Sequence, residues 1–123
     1  MMPTRERVQA FVAMVEANEF VEAIRAFYTD DATMQENLGE VRAGRDALVT
    51  GEEAALRRVK SIATRPGSTY AVDGDRVIVH WVFDIEQLDG KRFTLEELAY
   101  QTWRGDRIAQ ERFYYDPAQR KPA

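Results

Sequence analysis

Residues 76–116 read RVIVHWVFDIEQLDGKRFTLEELAYQTWRGDRIAQERFYYD, and the period of this stretch decides the fold. In 76–88, Val77, Val79, Trp81, Phe83 and Ile85 fall on one face and Ile78, His80, Val82, Asp84 and Glu86 on the other, the two-residue alternation of a strand. Asp89-Gly90 tolerates positive φ, after which RFTLEELAYQTW resumes with β-branched and aromatic positions, so a hairpin is predicted. Arg104-Gly105-Asp106 repeats the turn. In the third run, RIAQERFYYD, Ala109, Glu111, Phe113 and Tyr115 share one face, and Ile108, Gln110, Arg112 and Tyr114 share the other. The prediction is a meander of three long antiparallel strands.

Upstream, the apolar period lengthens to that of a helix. Thr4 caps a segment whose Val8, Phe11, Val12 and Val15 follow the i, i+3, i+4, i+7 spacing, with Asn18 as its stop. A second helix carries Phe20, Ile24 and Phe27 and ends near Tyr28, where Thr29-Asp30-Asp31 favours a turn. Thr33–Leu38 reads as a short strand closing at Gly39. After Gly44, Leu48, Ala55, Leu56 and Val59 make one helical face, while Glu52, Glu53, Arg57 and Arg58 read as its wet side. Lys60–Asp73 reads as a strand interrupted at Pro66-Gly67, with Asp73-Gly74 turning into the meander. Helices followed by a long curved sheet make an α+β class, a cystatin-like cone with a central pocket between helices and sheet.

The 123 residues fit one domain, expected over 1–116, with 117–123 (PAQRKPA) as a flexible tail. The chain has no cysteine, which removes disulfides and thiolate chemistry and suits a reducing, cytoplasmic location. Seventeen Lys and Arg against 21 Asp and Glu give a formal charge of -4, which disfavours a nucleic-acid partner. No apolar run approaches the ~20 residues of a membrane span. Neither a metal nor an organic cofactor is expected.

The element order, with FYTDDATMQENLG after the second helix and GDRIAQERFYYD at the end, resembles the nuclear transport factor 2-like and ketosteroid isomerase-like superfamily, closest to its SnoaL-like polyketide cyclase branch. That superfamily contains enzymes of several classes and non-catalytic domains, so the fold alone implies no activity. The resemblance places Glu36 where ketosteroid isomerases carry their general base. It also places Phe11 and Ala99 where their two oxyanion donors stand, so both donors are missing and steroid isomerisation is not expected. The same matching turns Glu97, Ala99 and Gln101, His80, Val82 and Asp84, and Glu111, Phe113 and Tyr115 toward the cavity, beside Phe11, Val15 and Phe27.

From these residues the expected function is cofactor-independent acid–base chemistry on a small apolar substrate. Glu36 and His80 take the base and acid roles, Asp84 orients, and Glu97 and Glu111 position protons or water. His80 is the only histidine, suited to proton exchange near neutral pH, although ~3.3 Å per residue puts its Cα about 13 Å from that of Asp84. The alternative is a non-catalytic module that binds a hydrophobic ligand or a protein. The second apolar face, Val79, Trp81 and Phe83 with Leu98 and Tyr100, is read as the contact of a twofold homodimer.

Overall fold

The computed structural model describes residues 2–120. Helix α1 (Arg5–Glu16) starts where the Thr4 hydroxyl accepts the Arg7 N–H at 3.1 Å. It ends at Asn18, which adopts φ 63° and accepts the Thr64 N–H on its side chain at 2.8 Å. Helix α2 (Phe20–Phe27) follows, and helix α3 (Arg45–Arg57) comes after the short strand β2 (Arg42–Ala43). The remaining strands are β1 (Tyr28–Glu36), β3 (Val59–Thr64), β4 (Thr69–Asp73), β5 (Arg76–Gln87), β6 (Arg92–Arg104) and β7 (Arg107–Tyr114). They form one sheet in the order β2-β1-β7-β6-β5-β3, with β4 also paired to β5. The expected α+β cone is present. Its sheet is mixed rather than purely antiparallel, because β1 runs parallel to β7.

The break at Pro66-Gly67 leaves β3 and β4 on the same edge of β5: Thr64 lies opposite Phe83, and Thr69 opposite His80. Helix α2 ends at Phe27 with Tyr28 as its cap, as expected, but Thr29–Asp31 do not form a separate turn: they bulge within β1, where the register passes from Tyr28 opposite Ile108 directly to Thr33 opposite Gln110. Their local bonding tendency is still visible in the Thr29 hydroxyl, which donates to Asp31 at 2.8 Å. The expected tail also departs in part. Pro117–Arg120 form a 3-10 turn, and the Gln119 amide bonds the Glu96 backbone N–H and C=O at 2.9 and 3.0 Å, standing in for a strand partner beyond the end of β7. The rest of that expectation falls on 121–123, outside the described residues.

The core centres on Phe11. Its ring meets Phe27, Tyr28, Trp81 and Trp103 edge to face, with centroids 5.5 to 6.2 Å apart, a favoured aromatic geometry. This settles the faces of β5. Val77, Val79, Trp81 and Ile85 are buried under the chain's own helices, with Phe83 packed against that cluster. They do not form an outer patch. The all-apolar face of an antiparallel strand goes to the core, whereas the resemblance turned the other set inward, and a shift of one residue along a strand exchanges every side chain between faces.

Gly51 sits in the middle of α3, where a built Cβ meets only an Arg42 side-chain nitrogen at 3.7 Å. Helical glycine costs about 0.5–1 kcal/mol relative to alanine. Gly51→Ala is therefore expected to raise stability by about that amount in urea unfolding, and a loss of stability would show that the helix needs the open space.

Candidate functional site

Between the three helices and the inner face of the sheet lies a cavity of about 220 Å³. Its walls carry six aromatic side chains, Phe11, Phe20, Tyr28, Trp81, Phe83 and Phe113, and four carboxyls, Glu36, Glu52, Glu97 and Glu111. Strand register explains the mixture. Inward positions of β6 fall at odd numbers, so Leu95, Glu97, Ala99, Gln101 and Trp103 are buried while Glu96, Leu98 and Tyr100 face out. Trp81 lies directly opposite Glu97, Gln101 opposite Glu111, and Glu36 opposite Phe113.

Glu111 is 3% exposed and is held at both oxygens: the Tyr28 hydroxyl donates to one, and the Gln101 amide donates to the other at 2.6 Å. The Trp103 indole N–H in turn donates to the Gln101 carbonyl at 2.9 Å, which fixes the amide's orientation. Burial pushes the Glu111 carboxyl up, the two donors pull it back, and it settles at about 7. Burial and the neighbouring negative charge push the Tyr28 phenol well above its ordinary range, so it remains a donor.

Glu97 differs. It is 9% exposed, lines the cavity, and finds no side-chain hydrogen-bond partner among the described residues. Burial first, then the charges of Glu111 and Glu36, raise it to about 8, so it is mostly a neutral acid at pH 7. Glu52 on α3 is also pushed up by burial, opposed by the Arg42 guanidinium. Two buried carboxyls, one tethered and one free, with proton affinities near neutrality, are equipped to exchange protons with a bound molecule.

The sequence expectations fare unevenly in position. Glu36 stands exposed at the cavity rim, with Glu97, Glu111, Phe11, Val15 and Phe113 also lining the cavity. His80 and Asp84 do not enter it. They project from the outer face with Val82, as partners of the outward Leu98, Glu96 and Thr94. His80 Nε2 lies 2.8 Å from Glu96, and Asp84 takes a bidentate contact from Arg65 at 2.8 and 2.9 Å plus the Thr94 hydroxyl at 2.9 Å. The Arg65 fork and Thr94 lower the Asp84 carboxyl from its ordinary value. Ala99, Gln101 and Phe27 are buried but lie behind the cavity wall, and Tyr115 stacks under Arg120 at 5.4 Å.

Tyr28, Glu52, Arg42 and Arg120 also line the cavity, beyond the residues expected there. Nothing in the local pattern marks the two arginines. Tyr28 was legible as the first inward position after α2, and Glu52 as a residue one turn from Leu48 and Leu56. No three His, Asp or Glu side chains converge as metal ligands among the described residues, and no helix there is long and apolar enough to cross a membrane.

A SnoaL-like domain model matches residues 8–111. This chain belongs to the SnoaL-like domain family. Solved structures agree in fold. A protein assigned to the SnoaL-like polyketide cyclases from Mesorhizobium loti is 23% identical, with a TM-score of 0.76 over 89% of this chain and 97% of that one. One assigned as a polyketide cyclase from Pseudomonas putida is 21% identical, with a TM-score of 0.77 over 97% and 96%. A ketosteroid isomerase-like protein from Catenulispora acidiphila, solved with trimethylamine, is 18% identical, with a TM-score of 0.77 over 94% and 89%. No curated protein matches the chain. Identities this low extend to the fold alone.

Proposed function

We propose that this SnoaL-like domain performs acid–base chemistry on a small, mainly apolar molecule, with Glu97 as the group that exchanges a proton with it. The supporting observation is the unpartnered, buried Glu97 carboxyl facing a cavity beside a second buried carboxyl. Burial first, and then the neighbouring Glu111, held by Tyr28 and Gln101, favour the protonated form of Glu97 until substrate arrives. Glu36 waits at the rim, where it reaches water and the mouth of the cavity. A dry cavity of ~150 Å³ holds a benzene ring, so about 220 Å³ suits a compact body of one or two rings. Phe11 and Ala99 offer no hydrogen-bond donor, which argues against an enolate held in the ketosteroid isomerase manner.

The test needs no knowledge of the natural substrate. Small cyclic ketones in D₂O are expected to exchange their α-hydrogens faster with the protein than in buffer alone, followed by NMR. Glu97→Gln is expected to slow that exchange about 10²- to 10⁴-fold. Absence of catalysed exchange across the panel would leave the non-catalytic binding role.

A twofold dimer through the outer sheet face belongs to the same proposal, with its residues revised. Val79, Trp81 and Phe83 lie inside, whereas Leu98 and Tyr100, 45% and 40% exposed, share the outer face with Ile78 and Tyr114 at 38% and 43%. Leu98→Glu is expected to convert a two-chain light-scattering mass to one chain while the circular dichroism stays unchanged. A one-chain mass for the unmodified protein at micromolar concentration would end the dimer proposal.

A further inference from the structure

The charges around the cavity do not balance with depth. At its mouth the exposed guanidinium groups of Arg42 and Arg120 stand with the exposed Glu36, while Glu52 is half-buried on α3. Deeper in, Glu97 and Glu111 form no salt bridge with either arginine or with any other described residue. Glu111 has Tyr28 and Gln101, both neutral donors. Glu97 has none, although it is 9% exposed and its carboxyl faces the cavity. The Glu97 oxygens are not among the sealed, unsatisfied polar atoms of the described residues, so they open onto the cavity, where a ligand can reach them.

The surfaces beside these carboxyls are aromatic. Trp81 is the direct cross-strand neighbour of Glu97, and Phe83 lies two residues further along the same inward face, its ring 6.2 Å from that of Trp81. Phe20 closes on Phe83 at 6.1 Å, and Phe113 stands opposite Glu36. Aromatic faces are electron-rich and attract organic cations, most of all where water is excluded. Aromatic rings alone fit any apolar ligand, and carboxyls alone fit water. Together, around a void closed by apolar helices, they fit a cation with a greasy surface.

We infer that the cavity takes an organic cation, an amine or quaternary ammonium group on a small apolar body, seated against Trp81 and Phe83 with Glu97 as its counter-ion. This rests on reading the cavity as a small-molecule site, and it narrows the substrate class within that reading. In the empty cavity at neutral pH, Glu97, raised to about 8, is mostly protonated and Glu111, raised to about 7, about half so, so the unliganded protein seldom holds two buried charges at once. A cation entering between them favours the carboxylate forms, so binding releases protons and strengthens as pH rises from 6 to 9. The other ionisable groups facing the ligand are Glu36 and Tyr28 on β1, Arg42 on β2, Glu52 on α3 and Arg120 in the C-terminal turn. Of these, Glu52 is raised by burial and works in the same direction.

Choline and its uncharged isostere 3,3-dimethylbutan-1-ol separate charge from shape, and choline has no titration of its own in this range. Calorimetric titration of the full chain is expected to give at least tenfold tighter binding of choline than of the isostere at pH 9. The preference is expected to shrink several-fold at pH 6, with net proton release measured in two buffers of different ionisation enthalpy. Glu97→Gln, checked for folding by circular dichroism, is expected to lose most of the choline preference over the isostere. Equal binding of the two probes at pH 9 would overturn the inference. So would a preference that ignores both pH and Glu97→Gln, or no detectable binding of choline at millimolar concentration. These outcomes are independent of ketone exchange: a cavity that exchanges ketone hydrogens yet ignores charge loses only the cationic ligand, and one that selects choline without exchange loses only the acid–base role.

Discussion

At pH 9 the Glu97→Gln protein is expected to unfold at a clearly higher temperature than the unmodified chain, and at pH 5 the gap is expected to shrink to a small fraction of that. Burial, then Glu111 and Glu36, raise the Glu97 carboxyl from 4.5 to about 8 in the folded protein. The native state therefore holds a proton that the unfolded chain has released, over the window from about pH 4.5 to 8. Where the native state binds more protons than the unfolded one, stability falls with rising pH, and above pH 8 the whole penalty is present. Every tenfold difference in proton affinity between the two states corresponds to about 1.4 kcal/mol. Allowing for solvent reaching the carboxyl through the open mouth, the amide is expected to recover about 2–4 kcal/mol at pH 9 and less than about 1 kcal/mol at pH 5. Thermal unfolding of both proteins across pH 5–9 reads this directly. Parallel curves would mean that Glu97 is solvated in the folded state and is no candidate for the proton-exchanging group. A substitution that strengthens the fold and abolishes turnover is the expected mark of a strained functional residue.

Phe11→Ala is expected to bring the protein to the edge of unfolding, with a loss of about 3–5 kcal/mol from a total that for such domains is about 5–15 kcal/mol. Phe11 is 2% exposed and sits where α1 meets the inner face of the sheet. Its ring serves four aromatic neighbours at once, Phe27 on α2, Tyr28 on β1, Trp81 on β5 and Trp103 on β6. Truncation leaves a void that these neighbours, each fixed by its own backbone, fill only in part. Because Tyr28 also donates to Glu111, the carboxyl network is expected to loosen with the core. Urea unfolding with Phe11→Leu as the milder control measures the loss. A cost below about 1 kcal/mol would mean that the helices collapse onto the sheet without it.

The element order and the α+β cone were legible because long segments of period two and period 3.6 do not resemble one another. Positions were less so. Alternation along β5 yields two side-chain sets but does not say which faces inward. The family resemblance turned His80 and Asp84 inward and left Trp81 and Phe83 outward, one residue out of phase with the true inward set. The apolarity of the set Val77, Val79, Trp81, Phe83 and Ile85 pointed the other way, and the structure follows it. On β6 and β7 the inward positions of Glu97 and Glu111 follow the alternation. What no local pattern carried was the bulge that keeps Tyr28 in the sheet, or the C-terminal turn that brings Arg120 to the cavity mouth, since both depend on partners far away in sequence.

The chain of hydrogen bonds from Trp103 through Gln101 to Glu111 makes the protein its own indicator. There are two tryptophans, and only one has its indole N–H bonded into that chain. When Glu111 gains or loses a proton, the pull on the Gln101 amide changes, and with it the polarisation of the Trp103 N–H. An isolated indole resonance in an ordinary proton spectrum can thus follow the ionisation of a carboxyl buried in the cavity, with no label, dye or substrate added.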